Sequence, residues 1–286
     1  MRFYYVFLLI LGIVMTGFES ISGDLQKKEL NELLYKAFRN HNTKQMLAYM
    51  QAGADINAKS TALSLTLLEF AVAQDDTPMV KFLLTHGANA EIIGPNGRNL
   101  LSYARNRDIA SLLLIHGASL TQNDDNGNTP MHWGGMYSAE LIDFFLEHGG
   151  HINARNALGQ TLLHRVCLRK PDSQNLKIIT TLINKGTKLN IRDSAGATPL
   201  LYASMRDSEK RLKLLMDSGA QIDSVDKEGN SALHYAASAG AKKNITFLIN
   251  HGLNIHIKNQ RGETYLDLMN KNSPMSKTAP SSSVPQ

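Results

Sequence analysis

The sequence predicts an all-α solenoid of about seven repeated units with a partial C-terminal cap, and three observations predict it. Glycines recur at Gly53, Gly87, Gly117, Gly149, Gly186, Gly219 and Gly252, with gaps of 34, 30, 32, 37, 33 and 33 residues. A helix-stopping phrase surrounds each of them, and a helix-starting phrase recurs upstream. A fixed period of this length marks one supersecondary unit stacked on copies of itself, so function belongs on an extended surface before any single pocket.

The N-terminus comes first. Met1-Arg2 precedes an apolar run of 13 residues, Phe3 to Met15, a charged start and hydrophobic stretch that read as a secretory leader over residues 1–22. The run is short for a membrane span, which needs about 20 apolar residues. Ser20-Ile21-Ser22 offers a small-x-small cleavage site before Gly23, while retention as an anchor is the alternative, since Thr16, Gly17 and Phe18 extend the run. Only on that alternative is a membrane a partner.

Residues 24–271 carry the repeats. The stops read Ala52-Gly53-Ala54-Asp55-Ile56-Asn57, His86-Gly87-Ala88-Asn89, His148-Gly149-Gly150-His151-Ile152-Asn153 and Ser218-Gly219-Ala220-Gln221-Ile222-Asp223. Glycine takes the left-handed conformation just past a helix end, and a preceding histidine sits where the helix dipole favours positive charge. The starts read Gly127-Asn128-Thr129-Pro130-Met131-His132, Gly159-Gln160-Thr161-Leu162-Leu163-His164, Gly196-Ala197-Thr198-Pro199-Leu200-Leu201 and Gly229-Asn230-Ser231-Ala232-Leu233-His234. Here Thr or Ser supplies a capping oxygen, and Pro stands where no helical hydrogen bond is lost.

These paired phrases resemble the ankyrin repeat, with its T-P-L-H start and G-A-D-x-N end, over roughly Asn31 to Met269. The resemblance implies two antiparallel helices per repeat, hairpin loops projecting to one side, and a concave face built by the inner helices. It also implies a role in binding another protein. The first repeat departs from the pattern, reading Glu32-Leu33-Leu34-Tyr35 as a terminal cap does, and the last, Gly262 to Asp267, enters one helix and stops.

Within the repeats, variation is more telling than the pattern. The residue after the T-P-L-H histidine position is Phe70, Tyr103, Trp133, Arg165, Tyr202 and Tyr235 in turn. Five of those six are aromatic, either packed between repeats or forming a partly exposed ladder suited to a partner's anchors. Gly134-Gly135 follows the only tryptophan, where Ala236-Ala237 stand three repeats later. The pair either makes room for packing or leaves a flexible joint. Repeat five carries four extra residues, read as Arg169 to Gln174 between its helices, and repeat three is three short near Asn106-Arg107-Asp108. Insertions in solenoids map to loops on one face, often the binding face, which adds Arg169 and Lys170 to the candidate partner-binding set.

Catalysis finds no foothold in the pattern, and no cofactor or metal is expected. His86, His116, His148 and His251 precede stop glycines, and His132, His164 and His234 end start phrases. Repeat register explains them. Ligands one repeat apart do not converge on a metal, and no phosphate loop, nucleophile elbow or H-E-x-x-H appears. Cys167 is the single cysteine and occupies a small-residue core position, so no internal disulfide exists.

Charge divides unevenly. From Asp24 to Ala154 there are 10 Lys/Arg against 14 Asp/Glu, and from Arg155 to Lys271 there are 18 against 10. The second half is basic, which favours an acidic partner or anionic surface. The leader, and the lack of any nucleic-acid-binding motif, argue against nucleic acid. Residues 272–286 are rich in Ser and Pro and are expected to be disordered. Because ankyrin repeats in eukaryotes are mostly intracellular, the resemblance, taken with a leader and no disulfide, implies a bacterial periplasmic or secreted protein, with membrane anchoring as the alternative.

Overall fold

The computed structural model describes residues 21–271. The leader reading lies outside that range except for Ile21 and Ser22, which open the first helix, and the tail reading lies wholly outside it. Among the described residues there are fourteen α-helices: α1 (Ile21–Arg39), α2 (Thr43–Gln51), α3 (Leu67–Ala73), α4 (Thr77–Thr85), α5 (Arg107–Ile115), α6 (Pro130–Gly134), α7 (Ala139–Glu147), α8 (Leu162–Leu168), α9 (Ser173–Asn184), α10 (Pro199–Ser204), α11 (Glu209–Asp217), α12 (Ala232–Ala239), α13 (Lys242–Asn250) and α14 (Tyr265–Lys271). A 3-10 turn, Leu100–Tyr103, takes the inner-helix place beside α5. Among the described residues the only β-pairings are two isolated bridges, Ile93 with Asn99 and Val225 with Ser231.

The chain forms two compact units, residues 21–93 with 99–119, and residues 94–98 with 120–271. Within each, a short inner helix is followed by an outer one. Isolated helices under about 12 residues are marginal in water, so these persist because they are capped and packed. Thr66 and Glu69 close a capping box on α3: Glu69 N–H donates to Thr66 Oγ1 at 3.2 Å, and Thr66 N–H donates to Glu69 Oε2 at 2.7 Å. Stops form as expected, with Gly87 at φ +89° after α4 and Gly219 at φ +103° after α11.

The core repeats with the same spacing. Leu162, Leu163, Val166 and Cys167 of α8 are buried, as are Ala232, Leu233, Ala236 and Ala237 of α12. Outer helices answer with Ile142 and Phe145, Ile179 and Leu182, Leu212 and Leu215, Ile245 and Leu248. Each helix buries one stripe against its neighbours, at roughly 25 cal/mol per Å² of apolar surface.

Polar bonds then bolt repeat to repeat. In the start phrase His132 Nδ1 accepts from Thr129 N–H at 3.1 Å, so the ring proton is on Nε2, which donates to Gln160 O of the next repeat at 3.2 Å. His164 does the same toward Ala197 O at 3.2 Å and His234 toward Glu263 O at 2.9 Å. Hairpin tips are laced by backbone bonds: Ala157 N–H to Asn126 O, Ser194 N–H to Leu158 O, Lys227 N–H to Ala195 O and Gln260 N–H to Glu228 O, all within 2.9 Å. The histidines before the stop glycines are local fittings. His86, His148 and His251 each donate Nδ1–H to the carbonyl four residues back, at 2.7–2.8 Å, and lie against Phe82, Phe144 and Phe247.

Two length readings are corrected. The four extra residues of repeat five do not all fall between its helices: α9 has 12 residues where the other outer helices from α2 to α13 have nine, so three of the four lengthen α9. That is nearly one helical turn, absorbed at little cost because the added surface continues a helix. The three residues missing from repeat three come from between Tyr103 and the N-cap Asn106, upstream of where the sequence placed them, and this truncates the inner helix to a 3-10 turn. Gly135 is a packing glycine. A Cβ there would meet Leu162 Cδ2 at 2.5 Å and Met131 O at 2.8 Å, so the backbone gives way to a leucine of the next repeat.

Candidate partner-binding face

Phe70, Tyr103, Trp133, Arg165, Tyr202 and Tyr235 all sit half-buried on the inner elements, Tyr103 on its 3-10 turn. In the first unit Phe70 meets Phe38 edge-on at 5.7 Å, and Phe38 meets Tyr35 at 6.2 Å. These rings with Leu33 and Leu63 line an open groove of about 1010 Å³, and Leu63 is 56% exposed at its rim. Tyr35 hydroxyl donates to Leu65 O, tying α1 to the loop before α3.

In the second unit the register residues have a partner the sequence reading missed. Three hairpin turns begin with an acid whose Oδ1 accepts turn amides, and whose other oxygen faces the register residue nine positions later. Trp133 Nε1–H donates to Asp124 Oδ2 at 2.8 Å, Tyr202 hydroxyl to Asp193 Oδ2 at 2.6 Å and Tyr235 hydroxyl to Asp226 Oδ2 at 3.0 Å. Where the turn residue is Asn156 instead, the register residue is Arg165. The signal was present as a fixed nine-residue interval, but nothing in the period alone shows that a turn acid and an inner-helix ring face one another.

These contacts set the ionisation states. Burial pushes the Asp124 carboxyl up, yet bonds from Asn128, Trp133 and Asn126 outweigh it and hold it below the usual carboxylate range. Burial, reinforced by the bond to Asp193, pushes the Tyr202 phenol up to about 12, and burial together with Asp226 raises Tyr235 too. Both phenols therefore remain donors at neutral pH. Desolvation lowers His132 to about 4 and lowers His164 as well, so both rings are neutral there.

Trp133 has cationic neighbours from both adjoining segments. The Arg98 guanidinium lies 3.8 Å from the indole centroid and that of Arg165 lies 4.2 Å away, a cation–π arrangement worth about 0.5–2 kcal/mol per contact. Arg165 Nη1 also donates to Asn128 Oδ1 at 3.0 Å. Beyond it, Tyr202 stands edge-on to Tyr235 at 6.0 Å and to His164 at 6.0 Å. Of the two loop candidates, Arg169 turns back to donate to Met136 O at 2.8 Å, and Lys170 is exposed. Neither joins the ring register. Arg98 and Arg206 were not singled out in sequence because neither falls on that register.

Among the described residues, no helix is long and apolar enough to cross a membrane. Cys167 is wholly buried, and burial pushes its thiol up to about 12.

The family description "Ankyrin repeats (3 copies)" matches residues 33–124, 106–193 and 163–259. Among curated proteins the chain is similar to the ankyrin repeat protein FPV232 of fowlpox virus, 31% identical over 145 residues, 49% of this chain and 30% of that protein. It is also similar to the phosphocholine transferase AnkX of Legionella pneumophila, 28% identical over 169 residues, 54% of this chain and 17% of that protein. The chain thus spans a third or less of the length of these relatives. Among solved structures it is similar to the ankyrin repeat domain of Bcl-3, a member of the IkappaB protein family, with a TM-score of 0.55 and 25% identity, covering 70% of this chain and 92% of that one. With the family matched across most of its length, and its start and stop phrases folded into capped helix pairs, this chain belongs to the ankyrin repeat family.

Proposed function

We propose that this chain is a non-catalytic scaffold that binds another protein through its inner-helix face and hairpin tips. One observation carries the reading. In the second unit the register residues present half-buried aromatic and guanidinium surface on consecutive inner helices, with the polar ends of Trp133, Tyr202 and Tyr235 already held by turn acids and Arg165 by Asn128. In the first unit Phe70 and Tyr103 are half-buried at the same register. Aromatic and Arg side chains in ordered positions are the residues that anchor interfaces, because little entropy remains to lose on binding.

The direct test is affinity capture with the folded chain, comparing wild type with Trp133→Ala plus Tyr202→Ala and with a charge reversal at Arg169 and Lys170. Loss of a specific protein partner with either variant, at unchanged fold by circular dichroism, is expected. Retention of that partner by both variants overturns the inner-face assignment.

A second reading, electrostatic binding of an anionic surface or polymer, draws on the excess of 18 Lys/Arg over 10 Asp/Glu from Arg155 to Lys271. It predicts binding to anionic vesicles that collapses between low and physiological salt, as the Debye length shortens to about 8 Å. Export is part of the proposal as well, and rests on the charged, apolar N-terminal stretch. N-terminal sequencing of protein recovered outside the cytoplasm is expected to begin at or near Gly23; a start at Met1 removes the processing claim.

A further inference from the structure

We infer that the inner side of the second unit accepts an extended acidic segment of a partner protein, whose carboxylates meet Arg165, Arg169 and Arg206. This deepens the scaffold reading and rests on it. The carrying observation is that three guanidiniums are anchored by neutral acceptors, with the Asp124 carboxylate acting on Arg165 only from beyond ion-pair distance. Arg165 Nη1 donates to Asn128 Oδ1 at 3.0 Å, Arg169 Nη1 to Met136 O at 2.8 Å and Arg206 Nε to Leu168 O at 3.1 Å. All three acceptors are neutral. None of these three arginines forms an ion pair among the described residues.

The carboxylates that would neutralise them are engaged elsewhere. Glu140 pairs with Lys177, Asp143 with Lys185 and Asp217 with Lys213, all on outer helices or at their ends, while Glu228 and Glu263 take Arg261. On the inner side Asp124, Asp193 and Asp226 accept turn amides and ring donors, Asp172 caps α9, and Asp207 accepts from Lys243 and Asn244 N–H. Three outer-side acids pair with lysines, and the inner-side acids, though still charged, are held by neutral donors; Arg165, Arg169 and Arg206 are thus guanidiniums with no carboxylate bound to them. A helix C-terminus supplies at most about half an elementary negative charge, so the carbonyls beside Arg169 and Arg206 orient those cations without cancelling them.

Geometry selects the occupant. Arg169 and Arg206 each stand four residues after a register position, and each donates to the carbonyl three residues after the preceding register position, so they are one device used twice. Neighbouring helices pack about 8–10 Å apart, and an extended chain covers that distance in about three residues. Carboxylates at every third position of an extended segment therefore fall in step with Arg169 and Arg206, while Arg165 stands about one helical turn before Arg169 in the same repeat. Nucleic acid fits less well. Base stacking needs an open aromatic face, whereas guanidiniums lie within 4.2 Å of the Trp133 centroid and Tyr202 is edge-on to Tyr235.

The test is fluorescence anisotropy with three labelled probes: a peptide with Glu at every third position and Ser-Gln spacers, the same peptide with Gln for Glu, and a single-stranded oligonucleotide of equal charge. The Glu peptide is expected to bind at least about tenfold more tightly than either other probe. R165Q/R169Q/R206Q should weaken it about tenfold or more, R165K/R169K/R206K should hold within about threefold, and K210Q/K242Q/K243Q, removing equal charge elsewhere, should hold likewise. The lysine variant keeps the test valid where the glutamine variant is destabilised. Equal weakening by the K210Q/K242Q/K243Q control, tighter binding of the oligonucleotide, or no preference for Glu over Gln overturns the inference. If that preference fails while Trp133→Ala plus Tyr202→Ala still loses its captured partner, the acidic assignment falls and the scaffold stands; if both fail, both fall.

Discussion

Arg211 of α11 donates from Nη1 to the carbonyl oxygen of Cys167 at 2.8 Å, 44 residues earlier in the chain. The same nitrogen reaches Arg169 O at 3.0 Å, and the side chain is 0% exposed. Its counterpart in the next repeat is Asn244, equally buried, which donates to Ser204 O at 3.0 Å and Arg206 O at 2.8 Å. One fully buried guanidinium thus satisfies carbonyls at the end of α8. Arg211→Ala leaves them unbonded beside a cavity and should cost about 3 kcal/mol or more, while Arg211→Met refills the volume and should cost about half as much. Urea unfolding midpoints check the order.

Acid should loosen the second unit through its buried imidazoles. His132 is lowered to about 4 from an ordinary 6.5, so below pH 6.5 the unfolded chain binds a proton that the folded chain refuses. The associated stability is full above pH 6.5 and is lost progressively as pH falls toward 4, by about 3 kcal/mol for this ring. His132→Gln, which preserves a start-phrase acceptor, should flatten the pH dependence of the midpoint across that window.

The Trp133 indole and the Asp124 carboxylate should be energetically coupled. Trp133→Phe removes the donor and leaves the ring, and the double-mutant cycle with Asp124→Asn should give about 1–2 kcal/mol of interaction. Additive effects would mean the 2.8 Å bond contributes nothing measurable.

At Gly135 the sign of a common effect should reverse. Gly to Ala in a helix ordinarily stabilises by about 1 kcal/mol, but here the new methyl meets Leu162 Cδ2 at 2.5 Å. Gly135→Ala should therefore destabilise by about 1–3 kcal/mol, and Leu162→Ala should recover part of that loss when combined with it. Thermal melts of the three variants decide it.

Cys167 should resist thiol reagents in the folded chain, being buried with its thiol pushed up to about 12. Labelling at neutral pH should proceed only as fast as the surrounding repeats open, and urea should accelerate it.

Much of this was legible in the residues because local rules and repetition agree. Gly87 and Gly219 stop helices where left-handed backbone is needed, and Thr66, Thr129 and Ser231 start them with side-chain oxygens. The register was legible too; its chemistry was not. Trp133, Tyr202 and Tyr235 read as rings either packed between repeats or exposed as a ladder for a partner, yet each spends its polar atom on a turn acid, a pairing that depends on how the hairpin folds back over the inner helix. The insertion was misplaced for a related reason. Counting between glycines fixes the length of a repeat but not which element absorbs the excess, and α9 had room to lengthen where the loop had only Arg169 to Asp172.

The imidazole bonds give the stack a direction. His132, His164 and His234 each donate forward, to Gln160, Ala197 and Glu263 of the repeat that follows. Removing repeats from the C-terminal side would strand a buried N–H with no acceptor, whereas removing them from the N-terminal side would leave a carbonyl missing one of its donors, and orphaned N–H groups are the rarer and worse-tolerated of the two. Erosion of the chain is therefore asymmetric, and Glu263, just before the short α14, supplies the carbonyl that closes the last imidazole.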